Sequence, residues 1–138
     1  VIPGNAEATI NFRILPESTV DDVLEYVKRT INDERININL TSFKSNPSKV
    51  SSIKSKGYAA INKSIQEIFP EAITVPNLVI AATDGRYYGE ICTDVYRFLP
   101  IHLNPDNVKA IHGINENIPV NEFNDVVRFY IRLIENCI

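Results

Sequence analysis

The chain has 138 residues (15.6 kDa), 44% hydrophobic and 22% charged, a balance that excludes collagenous, disordered and coiled-coil classes and fits one ordinary domain or two small pieces. Fourteen basic against 17 acidic residues, with signs interspersed, give a net charge of −3 and speak against nucleic acid or an anionic membrane surface as partner. The longest apolar run, Leu78 to Ala82, is far short of the ~20 residues a membrane-spanning helix needs. Methionine is absent, so Val1 is not a translation start and the chain reads as a piece of a longer product. Cys92 and Cys137 stand apart, without metal-site spacing, and read as free thiols; the compartment stays open.

From Ala6 to Leu15, small or apolar residues alternate with polar ones, the period-two mark of a half-buried strand. Ala8, Ile10, Phe12 and Ile14 share one face, and Arg13 falls on the other. Ser18-Thr19-Val20-Asp21 resembles a capping box, and Val20, Val23, Leu24, Val27 and Ile31 follow at helical spacing. Arg35 to Phe43 alternates again as a second strand. Lys44 to Lys56 is rich in Ser and Lys, shows no periodic face, and is the candidate domain boundary.

Gly57 to Phe69 reads as a helix with Ala60, Ile61, Ile65, Ile68 and Phe69 on one side, stopped by Pro70. Ile73 to Ala82 suits a buried strand, after which Thr83 or Asp84 would cap a short helix carrying Arg86, Tyr87 and Tyr88. Asp94 to Leu99 is a further short strand. Val120 to Asn136 is a long helix with a stripe of Phe123, Val126, Val127, Tyr130, Ile131 and Ile134. Strands alternating with helices predict an α/β class.

Three places are suited to chemistry. His112 opens the polar turn His112-Gly113-Ile114-Asn115-Glu116, where Gly113 lets the backbone bend and an imidazole can face outward as a metal ligand or remain an ordinary loop histidine. Ala81-Ala82-Thr83-Asp84-Gly85-Arg86 lies where a strand turns into a helix, the edge at which open α/β sheets bind ligands. A capped helix with an Asp84–Arg86 ion pair explains the same pattern equally well. Arg13 suits bidentate recognition of a carboxylate, although exposed strand arginines are common.

Taken together in order and spacing, these motifs resemble the carboxyl-terminal part of the zinc-dependent aminoacylase, carboxypeptidase S and succinyl-diaminopimelate desuccinylase family of metallopeptidases. Val1-Ile2-Pro3 with Ala8 to Arg13 is similar to the family's strand leading to its substrate arginine, Ala81 to Tyr88 to its strand-to-helix motif, and Ile111 to Glu116 to its last metal-ligand segment. Pro47-Ser48 to Ser52 and Asp94-Val95-Tyr96-Arg97-Phe98 resemble the carboxypeptidase S branch.

The resemblance implies a partial α/β lid, used for dimerisation, over residues 1–43, and the carboxyl-terminal α/β lobe of a di-zinc catalytic domain over residues 44–138. It implies metal-assisted hydrolysis of an N-acyl amino acid or short peptide, by a water activated between two zinc ions with a glutamate as base. Arg13, Ala82 and Thr83 would contact substrate, His112 would ligate one zinc, and Asp84, Arg86 and Glu116 would support the loops. The family's first histidine, bridging aspartate, glutamate pair and lid histidine are missing from these residues, so no catalytic residue is assigned and the segment alone should be inert. Ala81-Ala82 stands where Gly-Gly is often found. The competing expectation is a non-catalytic relative that binds a carboxylate ligand or serves dimer assembly.

Overall fold

A computed structural model describes residues 1–138, which divide into two units, Val1–Val50 and Ser51–Ile138. In the first unit, α1 (Val20–Ile31) carries Val20, Val23, Leu24, Val27 and Ile31 on its half-buried side, the face its spacing predicts. Its capping box is shifted one residue from the predicted one. Thr19 is the N-cap: its Oγ1 accepts from Asp22 N–H at 3.1 Å, and Asp22 Oδ2 accepts from Thr19 N–H at 2.7 Å. The Val20 N–H, another donor without a helical partner, reaches Asn46 Oδ1 at 2.9 Å, so the Ser/Lys-rich segment begins by docking on this helix. Asn32 ends α1 in the left-handed region at φ 44°, a conformation Asn tolerates better than most residues.

The second unit is built on α2 (Lys56–Ile68) and α5 (Val120–Cys137), which pack on each other. Phe129 (1% exposed) and Ile65 (5%) form the centre with Ala60. Ser64 is also fully buried, and the register of the pair is set by polar contacts around it. Ser64 Oγ donates to Ala60 O and accepts from Asn136 Nδ2 at 2.9 Å, while Arg132 Nε lies 3.3 Å from Glu67 Oε2. Phe98 adds its ring to Phe129, centroids 5.0 Å apart, and Tyr130 Oη donates to Phe98 O.

The predicted stripe of α5 is therefore displaced. The face that packs is Val126, Phe129, Leu133 and Asn136, whereas Phe123, Val127, Tyr130, Ile131 and Ile134 remain exposed. Apolar residues run around more of this helix than one neighbour can cover, so periodicity alone could not say which flank meets α2. Along the chain between α2 and α5 come α3 (Gly85–Tyr88) and α4 (Pro105–Ala110). The latter went unpredicted, although Asn104 caps it, Pro105 opens it and Asn107 completes a reciprocal box.

The α/β expectation is met only in its helices. No segment forms a strand: 6–15, 35–43, 73–82 and 94–99 have no ladder partner. A strand exists through the N–H and C=O groups of a neighbour, and an alternating pattern names the face to be covered without supplying that neighbour. Both faces of these segments are uncovered, with Ile10 64%, Phe12 46%, Leu78 48%, Val79 50% and Ile80 75% exposed.

Ser51 to Ser55, the second half of the segment read as a boundary, is tied into the second unit. Five hydrogen bonds join it to 94–96: Ser51 Oγ donates to Val95 O and accepts from Val95 N–H, and Ser52 N–H donates to Asp94 Oδ1 at 2.6 Å. Tyr58 N–H donates to Ser55 Oγ, Ser55 in turn donates to Tyr96 Oη, and the phenol donates to Ser52 O.

Candidate functional site

The loop after Ala82 turns into α3 without the side-chain cap predicted for it. Asp84 occupies the N-cap position at φ −62°, ψ −16°, already helical, and from that conformation its carboxylate does not reach back to the first turn. The turn is held by backbone instead: Thr83 O accepts from Arg86 N–H and Asp84 O from Tyr87 N–H at 3.0 Å. Arg86 lies over the Tyr87 ring, 4.6 Å from its centroid, and its Nη2 donates to Tyr87 Oη at 2.6 Å. Ala82, Thr83 and Asp84 are all exposed, so this loop offers a hydroxyl and a carboxylate to solvent.

Thr83 has a partner far along the chain. Arg97 Nε donates to Thr83 Oγ1 at 2.8 Å. Gly85 makes the approach possible, because a Cβ there would stand 3.0 Å from Arg97 Nε and 3.1 Å from Thr83 Oγ1. In the sequence Arg97 stands out only as part of Asp94 to Phe98, and nothing in the spacing relates position 97 to position 83.

The second cluster is the 111–116 turn, where the structure corrects which residue makes the bend. His112 itself takes the left-handed conformation at φ 62°, while Gly113 has no positive φ. Gly113 N–H donates to Ala110 O at 2.7 Å, closing a tight turn at the end of α4, and a Cβ on Gly113 would lie 3.0 Å from that carbonyl. The cost of the left-handed residue is offset in part by Glu116, whose Oε2 accepts from His112 N–H at 3.0 Å. The side chain of His112 is exposed, and its ring is not consumed in a core.

The observed contacts thus join Thr83 to Arg97 and His112 to Glu116. Arg13 is exposed and belongs to the first unit. No group of three or more His, Cys, Asp or Glu side chains that could hold a metal ion occurs, and both cysteines are exposed and free. A catalytic zinc needs about three protein ligands, so the donor set of these residues does not fit a complete zinc site; His112 can supply one ligand only. No helix is long and apolar enough to cross a membrane.

Comparison with known proteins bears out the family resemblance. The chain is 43% identical over 138 residues to the mouse N-fatty-acyl-amino acid synthase/hydrolase PM20D1, covering 99% of this chain and 27% of that protein. It is 37% identical over 136 residues to the "Probable carboxypeptidase S-like 2" of Dictyostelium discoideum, covering 99% and 26%. It is 29% identical over 137 residues to the succinyl-diaminopimelate desuccinylase of Coxiella burnetii, covering 98% and 34%. The chain spans about a quarter of the length of the first two relatives. No solved structure matches. The profile of Peptidase family M20/M25/M40 matches residues 2–136, nearly the whole sequence, and the chain therefore belongs to that family.

Proposed function

We propose that these residues are the carboxyl-terminal part of a zinc-dependent hydrolase that cleaves the amide bond of N-acyl amino acids or short peptides. The observation that carries this reading is the family match over residues 2–136, together with relatives named as an N-fatty-acyl-amino acid synthase/hydrolase and a probable carboxypeptidase S-like protein. Residues 1–43 are read as the second half of a lid through which a homodimer forms, and 44–138 as the closing lobe of a catalytic domain. Arg13 binds the substrate carboxylate, Ala82 and Thr83 line the substrate, and His112 gives one ligand to a metal completed by groups outside these residues. Asp84, Arg86 and Glu116 shape the two loops. The exposed hydroxyl of Thr83 and the exposed imidazole of His112 support this division of labour.

The test is hydrolysis of a panel of N-fatty-acyl and N-short-acyl amino acids and dipeptides by the full-length protein, with and without a chelator. Chelator-sensitive release of free amino acid is expected. In the same panel Arg13→Ala raises KM about tenfold more for substrates with a free carboxylate than for their esters, since a charged hydrogen bond is lost only in the former. Absence of turnover across the panel would overturn the hydrolase reading, and carboxylate binding without turnover would favour a non-catalytic relative.

A further inference from the structure

We infer that Arg97 is the positioning residue that makes Thr83 a hydrogen-bond donor toward the carboxylate of an N-acyl amino acid, a group that does not react; this rests on the reading of Thr83 as a substrate contact. A threonine hydroxyl has one proton and two acceptor lone pairs, and left to itself it rotates among them. The Arg97 Nε–H points into Oγ1 at 2.8 Å and occupies a lone pair. Arginine has no acceptor with which to receive the hydroxyl proton in return, so that proton is turned away from Arg97 and polarised by a permanent cation. An exposed hydroxyl prepared in this way presents a donor to an incoming carboxylate oxygen.

Two further features hold Arg97 in place. The preceding residues 94–96 are fixed by the five hydrogen bonds to Ser51, Ser52 and Ser55, so the arginine leaves a backbone anchored on the residue before it. On the other side, Gly85 leaves the gap through which Nε reaches Oγ1. The Ser-rich segment, read from sequence as a boundary, thereby acts as a brace for the loop after Ala82.

The experiment is a double-mutant cycle in the full-length protein, using Arg97→Gln, Thr83→Val and the pair, with N-acyl amino acid substrates. Because the contact serves binding alike in ground and transition states, each single variant should raise KM about tenfold with kcat within about twofold. The pair should be no worse than Thr83→Val alone, and Thr83→Ser should restore wild-type KM in the Arg97 background that is intact. Should Arg97→Gln lower the thermal midpoint, Arg97→Lys serves as the second variant: it keeps the cation but not the Nε geometry, and should show the same KM rise. Additive effects in the cycle, or a fall in kcat with KM unchanged, would overturn the positioning role while leaving the hydrolase reading intact. A wild-type protein without turnover would overturn both, and would do so before any variant was made.

Discussion

The two loops of the second unit are supported in opposite ways. The His112 turn is held from four residues away, by Glu116 on the His112 N–H, whereas Thr83 is held from fourteen residues away by Arg97, whose own backbone is braced by serines more than forty residues upstream of 94–96. A local support survives most distant changes and is damaged only by its own residues. A distant support transmits changes from several places into the loop. The difference predicts that the His112 turn behaves as an independent module and the Thr83 loop as the end of a chain of contacts.

The largest test separates fold from chemistry at position 112. His112→Gly in the full-length protein should abolish hydrolysis while raising the stability of the metal-free protein by about 1 kcal/mol, because glycine takes φ 62° without the penalty of a Cβ. Thermal unfolding and an activity assay check the two halves, and retained activity would remove His112 from the metal. Next in size, Gly85→Ala should raise KM about as much as loss of Arg97, roughly tenfold, with little change in thermal midpoint. The atoms it meets first are Arg97 Nε and Thr83 Oγ1, ends of side chains that can swing apart. An unchanged KM would mean that the bond between them does not matter for binding.

A smaller effect is expected at Glu116. Glu116→Ala removes one acceptor from an exposed backbone N–H and should cost about 1 kcal/mol, visible as a modest fall in thermal midpoint and in activity, while KM effects of Thr83 and Arg97 variants stay unchanged. Coupling between Glu116→Ala and Arg97→Gln would break the picture of two independent loops.

The smallest is a pH effect at the other local support, the capping box of α1. The Thr19 hydroxyl, and then its N–H, hold the Asp22 carboxyl below its ordinary value. A lowered folded-state pKa means that the capping contribution is complete above the ordinary carboxylate pKa and is lost as pH falls through the lowered value. Thr19→Ala should return the Asp22 titration toward the ordinary range and weaken the start of the helix slightly. Carboxyl-carbon NMR titration of Asp22 reads the first part.

Helices were legible because their causes lie within a few residues. Val20, Val23, Leu24, Val27 and Ile31 name the inner face of α1, and Ala60, Ile61 and Ile65 that of α2, since a helix satisfies its own backbone and needs only its spacing to be recognised. Even there, one-residue shifts at Thr19 and the displaced packing face of α5 depended on which partner arrived. The four strand-like segments show the limit, because alternation in Ile10, Phe12 and Ile14 marks a face while pairing requires another strand.

The chemistry divides along the same line. Thr83, His112 and Glu116 could be picked out from short motifs, His112 and Glu116 even as a pair, because four residues of turn bring them together. Which backbone bends at that turn was decided by the closure of Gly113 N–H on Ala110 O, which leaves the left-handed position to His112. The union of Arg97 with Thr83 was decided by tertiary structure alone: a hydrogen bond of 2.8 Å across fourteen residues joins them beside the missing Cβ of Gly85, next to a backbone tied to Ser51, Ser52 and Ser55, and local spacing encodes none of this.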